Sequence, residues 1–396
     1  MIFKRFRMRN ACSNIPGRLH CGPAILLASI LIAGGCATRP ASDVLEPVAI
    51  TTPGTQQRTI LTSTNRRLHE NRKNKPDRRS DSLTFEQYSF SIPAKRKVND
   101  IVYPTRKIDP ERQYFVTQRK ALSEVAFIEN VNAQTNDDGT LCVFIHGYNY
   151  TYQEALFRTA QLAADAGELS PPVLFSWPST ASVSGYVADR DAALASRTEL
   201  AALLETVNKA PKVKHVVIFA HSMGAMLAVE AVRQLKFEGR DDLLNRMEIV
   251  LAAADIDVDL FESQLRDIGP LPIPITLLVS KEDKALVASS LLGSKRPRVG
   301  QISAAAPLTK RAARADLVRI VDITSLQDPN PLGHNRYGSL AQLMGQAAEQ
   351  DWQQQMPAAN YIGTLLLNPS TPRSKTLTNL SRPVAAKPFA ATPVSR

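Results

Sequence analysis

The residues most able to do chemistry in this chain surround Ser222. It stands in Ala220-His-Ser-Met-Gly224, between the β-rich apolar run 216–220 and a helical pattern through Met226, Leu227, Val229, Ala231 and Val232. Strand, abrupt turn and helix form the setting of a nucleophile elbow, in which the serine Oγ stands clear of a sheet. Positions two before and two after the serine must be small, because helix backbone passes close to the strand. Gly224 meets that need, and Ala220 stands where glycine is commoner. The plainer alternative is a serine that only caps the helix. A serine hydroxyl is a poor nucleophile until an oriented base takes its proton. In this setting the chain order is Ser, then acid, then His. Histidines occur at 20, 69, 146, 215, 221 and 334, and only His334 follows Ser222. It lies in Asn330-Pro-Leu-Gly-His334-Asn-Arg-Tyr337, just beyond the last expected strand. The acid should follow a strand between the two. Asp283, in Ser280-Lys-Glu-Asp283, is the preferred candidate, with Glu282 a weaker neighbour and Asp255, one strand earlier, the alternative. A carboxylate left unused would be a helix cap or turn residue. Acyl chemistry also needs two backbone N–H groups aimed at the developing oxyanion. Met223, next to the nucleophile, supplies one. Tyr148, in the loop His146-Gly147-Tyr148-Asn149, supplies the other, with Gly147 allowing close backbone approach.

These residues need a scaffold that holds several loops at one edge. The run Thr140–His146 is continuously apolar, the mark of a strand buried on both faces. Further strands are expected at 83–92, 114–117, 173–176, 213–219, 248–252, 275–279 and 317–320. Helices are expected at 121–130, 154–166, 189–208 and 225–235. Strands alternating with helices imply a doubly wound, mostly parallel sheet in a single domain over 83–367. Trp177, Tyr186, Asp189 and Arg190 follow the strand at 173–176 and either line the pocket or merely pack and cap.

The chain has 396 residues and a formal charge of +11. That charge sits in the ends. Residues 83–367 carry 29 basic and 32 acidic side chains, while 37–82 carry nine against five, and 368–396 carry five against none. A nucleic-acid partner is therefore not indicated. Residues 1–36 read as a lipoprotein-type signal: a basic start, an apolar stretch at 24–33 too short to span a bilayer comfortably, then Ala33-Gly-Gly-Cys36. Cys36 would be lipidated and attach the protein to a membrane of the cell envelope. Residues 37–82 read as a flexible tether with at most one short strand near 60–64, and 368–396 as a disordered basic tail. Cys142 fits a small core residue, and no spacing suggests a metal or organic cofactor.

Phe144-Ile-His-Gly-Tyr-Asn149, Phe175-Ser-Trp-Pro-Ser179, Tyr186-Val-Ala-Asp189, Ala220-His-Ser-Met-Gly224, Ala254-Asp-Ile-Asp257 and Ser280-Lys-Glu-Asp-Lys-Ala-Leu286 occur in one order. In that order they resemble the bacterial α/β-hydrolase family catalogued as domain of unknown function 900, over about residues 83–345. The resemblance implies an α/β-hydrolase fold, a serine hydrolase with the triad Ser222, Asp283 and His334, and no defined natural substrate. Ala254 replaces the proline common in that family. In lipoproteins of enterobacterial type a residue other than Asp after the cysteine goes with outer-membrane sorting, so Ala37 implies an outer-membrane lipoprotein facing the periplasm. The expected substrate is a small ester or acyl compound. The short stretch 253–272 leaves no room for a large lid, which suits short or soluble esters, and 291–315 could cover the site instead. The rival expectation is a catalytically silent hydrolase-fold scaffold of the envelope. Oligomeric state has no sequence signal.

Overall fold

A computed structural model describes residues 39–50, 55–67, 78–97, 99–135, 137–166, 173–293, 295–303 and 317–340. The expected signal segment with Cys36, the basic tail 368–396, and residues 304–315 of the expected covering segment lie outside them. The chain divides into Met1–Arg39 and Pro40–Arg396, and the fold described here belongs to the second unit.

Among the described residues, nine strands form one sheet: β1 (Gln56–Arg67), β2 (Arg78–Ile92), β3 (Phe115–Leu122), β4 (Thr140–Ile145), β5 (Val173–Ser176), β6 (His215–His221), β7 (Met247–Ala252), β8 (Ile275–Val279) and β9 (Val318–Asp322). Their spatial order is β3-β2-β1-β5-β4-β6-β7-β8-β9. The pairs β1–β2 and β2–β3 are antiparallel, and every other neighbouring pair is parallel. This is an α/β-hydrolase fold. The helices are α1 (Glu124–Gln134), α2 (Tyr152–Asp165), α3 (Tyr186–Ala195), α4 (Arg197–Asn208), α5 (Met223–Phe237), α6 (Asp241–Leu244), α7 (Val258–Ile268) and α8 (Lys284–Leu292).

The apolar strands serve both faces, as continuous hydrophobic runs require. Leu141, Val143 and Ile145 of β4 join Val216 and Ile218 of β6 in one buried layer with α4 and α5. Phe144 and Val217 point into the other, beneath α2. The strand order reverses at β4. The chain leaves β4 through α2 to reach β5 on one side, and leaves β6 through α5 to reach β7 on the other. The loops after β4 and β6 therefore diverge, which opens a crevice at the carboxyl ends of adjacent strands, the usual ligand position in such sheets.

Three expectations need correction. Residues 56–67 are not tether: β1 lies between β2 and β5, and Ile60 through Arg66 are buried. Its polar run is hidden from solvent by partners such as Ser176, whose carbonyl accepts from Thr64 Oγ1 at 2.5 Å. The edge strand continues past 117 because Gln118 to Leu122 pair with β2. Helix α1 then starts only after Ser123, whose hydroxyl accepts from Ala126 N–H. The helix expected over 189–208 is two helices. Ser196, at φ −90° and ψ 5°, separates α3 from α4, and its Oγ donates to Ala192 O and accepts from Asn65 Nδ2.

Candidate active site

At the end of β6 the chain turns sharply into α5. Ser222 adopts φ 55° and ψ −120°, a strained conformation for a residue with a side chain. Its N–H donates to Ala252 O of β7 at 2.9 Å, and its carbonyl accepts from Asp255 N–H at 3.1 Å. The turn is held because its neighbours leave it no other course. A Cβ on Gly224 would lie 2.3 Å from His146 O and 2.8 Å from Ile145 O, both backbone atoms. A Cβ on Gly147 would lie 2.9 Å from Ser222 Cβ, so the loop after β4 passes directly beside the serine. Ala220 is fully buried and accommodated.

The loops after β8 and β9 converge on the same edge. His334 Nδ1 lies 2.7 Å from Asp283 Oδ2. The carboxylate can only accept, so Nδ1 carries the proton and Nε2 keeps its lone pair. Asp283 is almost fully buried, and its other oxygen caps α8 by accepting from Leu286 N–H at 3.0 Å. Burial disfavours the His334 cation, but the Asp283 carboxylate outweighs it, with help from Asp255 and Asp328. The imidazole pKa is raised above its ordinary value. Asp255 takes no part in this pair. Its carboxylate accepts from Ser289 Oγ at 2.6 Å and Tyr186 OH at 2.9 Å and lies 3.2 Å from Arg298 Nε. Glu282 is exposed and paired with Arg336. Among the described residues, the Ser222 hydroxyl makes no hydrogen bond. Such bonds often tighten only around substrate.

The loop 146–150 presents Tyr148 beside the elbow. Its hydroxyl donates to Ser182 O and Val183 O. Met223 opens α5, where first-turn N–H groups have no acceptor within the helix.

Residues 123–351 match the family described as alpha/beta hydrolase of unknown function (DUF900). The chain belongs to that family. No curated protein matches it. Among solved structures, the S188A mutant of esterase Est22 shares 10% identity at a TM-score of 0.37, covering 87% of this chain and 86% of its own. Esterase Est22 itself shares 11% at 0.36, with 82% and 88% covered, and its form with p-nitrophenol shares 11% at 0.35, with 83% and 88% covered. Likenesses this distant carry no residue roles across.

In this member of the DUF900 family, the loop 146–150 is clamped by groups that sequence reasoning did not connect. Arg66 of β1 lies N-terminal to the matched region. Its Nη2 donates to Tyr150 O at 3.2 Å and to His146 Nε2 at 3.3 Å, and its Nε donates to Ser176 Oγ at 3.0 Å. A guanidinium only donates, so His146 Nε2 is an acceptor and Nδ1–H donates to Gly147 O at 2.8 Å. Burial, then the Arg66 charge, pushes the His146 pKa down to about 3, and the ring stays neutral, stacked on Trp177. Asp189 is fully buried and accepts from Ser179 Oγ and Thr180 N–H, both at 2.5 Å, and from Asn149 N–H at 3.1 Å. Trp177 and Asp189 thus support the loop, while Arg190 is exposed. His221, beside Ser222, donates from Nε2 to His334 O at 3.1 Å, and burial holds its pKa well below the usual imidazole range. Among the described residues, no three His, Cys, Asp or Glu side chains converge as a metal site.

Proposed function

We propose that this protein is a serine hydrolase that cleaves an ester-like acyl bond. The observation that carries the reading is the Asp283–His334 pair at 2.7 Å, on the same sheet edge as the strained Ser222 turn. Ser222 Oγ attacks the carbonyl carbon while His334 Nε2 takes its proton. The imidazolium that forms is stabilised by Asp283 through the Nδ1 proton. The N–H groups of Met223 and Tyr148 receive the oxyanion. Collapse expels the alcohol, which takes the proton from His334, and leaves an acyl-enzyme on Ser222. Water, deprotonated by His334, then releases the acid. The stretch between β7 and β8 holds only α7, and a site without a large lid there suits short, soluble acyl esters.

The deciding experiment is labelling by a fluorophosphonate probe. Wild-type protein labels, Ser222→Ala does not, and His334→Ala labels at least about a hundredfold more slowly. A well-folded wild-type protein that stays unlabelled would favour the silent-scaffold reading. The same proposal places the enzyme in the cell envelope with Cys36 as its lipidated first residue. Cells fed radioactive palmitate should label the wild type and not Cys36→Ala, and equal labelling of both would remove the anchor.

A further inference from the structure

The segment Ala254-Asp-Ile-Asp257 is used by neither the nucleophile nor its base. Asp257 has an ordinary task, capping α7 by accepting from Asp259 and Leu260 N–H. Asp255 does not cap anything. It is buried at the end of β7, one strand from the nucleophile, and it touches four separate elements. Its backbone N–H donates to the carbonyl of Ser222 at 3.1 Å. Its Oδ2 accepts from the hydroxyl of Tyr186, the first residue of α3, at 2.9 Å. Its Oδ1 accepts from Ser289 Oγ of α8 at 2.6 Å and faces Arg298 Nε at 3.2 Å. Arg298 is itself buried and donates to Ser289 O at 2.9 Å, which fixes the pair. The ring of Tyr186 packs edge-on against that of Tyr148, with centroids 5.4 Å apart.

We propose that Asp255 is a positioning residue that ties the serine elbow to the oxyanion-side loop through Tyr186 and Tyr148. The inference rests on the serine hydrolase reading given above. The two N–H groups that would receive the oxyanion lie on loops after different strands, β6 and β4. Only their relative placement makes a hole, and small displacements of such donors cost rate steeply. The backbone of Asp255 holds one side and its side chain holds the other. Two hydroxyls and the Arg298 charge hold the carboxylate, and neither of its oxygens bonds to His334, although its charge still reaches that ring. Among the described residues, Asp283 bonds to the His334 ring, the His221 ring packs against it, and the Asp255 and Asp328 charges act on it without contact.

Tyr186→Phe tests the link, because it keeps the ring packing and removes only the hydroxyl bond. In a wild-type protein that labels with fluorophosphonate, Tyr186→Phe lowers kcat on p-nitrophenyl acetate about tenfold with KM nearly unchanged and the melting temperature within a few degrees. Asp255→Asn lowers kcat by at least as much. It also shifts the acid limb of the rate profile to lower pH, because one carboxylate whose charge favours the His334 cation is lost. The double variant is no slower than Asp255→Asn alone, as expected of two residues on one path. Tyr186→Phe at the wild-type rate, or effects that multiply in the double variant, would overturn the positioning role. Should Asp255→Asn fail to fold because Arg298 is left unpaired, Tyr186→Phe still decides. An unlabelled wild type would instead remove the hydrolase reading itself, which separates the two failures.

Discussion

Asp283→Asn lowers kcat/KM on a p-nitrophenyl ester by about a thousandfold or more, with little change in stability. The two carboxylates that sequence order leaves open, Asp283 and Asp255, separate in this experiment. Asparagine in place of Asp283 presents an amide that can donate to His334 Nδ1, which would stabilise the tautomer with its proton on Nε2. That ring cannot take the Ser222 proton. Stability is spared because the same side chain caps α8 through Leu286 N–H, and asparagine caps as well as aspartate. Asp255→Asn leaves the Asp283–His334 contact intact, so its loss is smaller by about a hundredfold. If the two variants lose equal activity, or if Asp255→Asn loses more, Asp283 is not the orienting acid.

The same variant has a pH signature. The His334 pKa is raised in the folded protein, its burial outweighed by the Asp283 charge. Catalysis needs the neutral ring, so wild-type activity falls as pH drops through a value above the ordinary 6.5 or so of a free imidazole. Stability has the opposite sense. A group whose folded pKa is raised contributes stability that is fully present below its unfolded pKa and is lost as pH rises through the folded one. The pair therefore stabilises the fold most in the pH range where the enzyme is least active. Removing the carboxylate moves the residual acid limb of activity to lower pH and flattens this part of the stability profile. Rate profiles and urea unfolding across pH 5 to 9 check both limbs. An acid limb that stays in place would show that Asp283 does not set the charge state of His334.

What could be read in advance depended on how far a residue's role reached along the chain. The strands β4, β6, β7 and β8 are largely apolar runs, and Ser222, Asp283 and His334 fall in loops after strands, in an order that three positions suffice to recognise. The sequence favours Asp283 over Asp255 by its place in the order of strands but does not decide between them, because both follow a strand. Only the fold shows that one reaches His334 Nδ1 while the other is held by Tyr186, Ser289 and the Arg298 charge. β1 shows in the sequence only as a short strand near 60–64 within a tether, for the converse reason. Thr62-Ser-Thr-Asn-Arg66 has the composition of a linker, and its burial depends on partners more than a hundred positions away, such as Ser176 and Ser196. Arg66 is the extreme case: a cation in apparent tether that holds the two ends of the loop 146–150. Ser196 broke a periodic pattern that otherwise reads as one helix, because its bond with Asn65 exists only once β1 is in the sheet.

Gly224→Ala tests whether the close approach of α5 to β4 is what makes the elbow. The added methyl would stand 2.3 Å from His146 O and 2.8 Å from Ile145 O. Neither atom can rotate away, since Ile145 pairs with Ala220 in the parallel ladder and His146 O accepts from Trp177 Nε1 at 2.9 Å. The helix must then move off the strand. That separates Met223 N–H from the loop carrying Tyr148 and opens the buried layer of Met226, Leu227 and Ile218 behind it. A strain of this kind costs about 3 kcal/mol or more, at the upper end of overpacking in a tight core. The expected result is a melting temperature lower by roughly five degrees or more and fluorophosphonate labelling slowed at least about a hundredfold. The reverse exchange at the other small position, Ala220→Gly, should shift stability by only about 1 kcal/mol, because that methyl already fits. Equal tolerance at both positions would mean that the two backbones lie farther apart than 224 and 146 are placed here, and that the serine turn is held by its bonds to Ala252 and Asp255 alone.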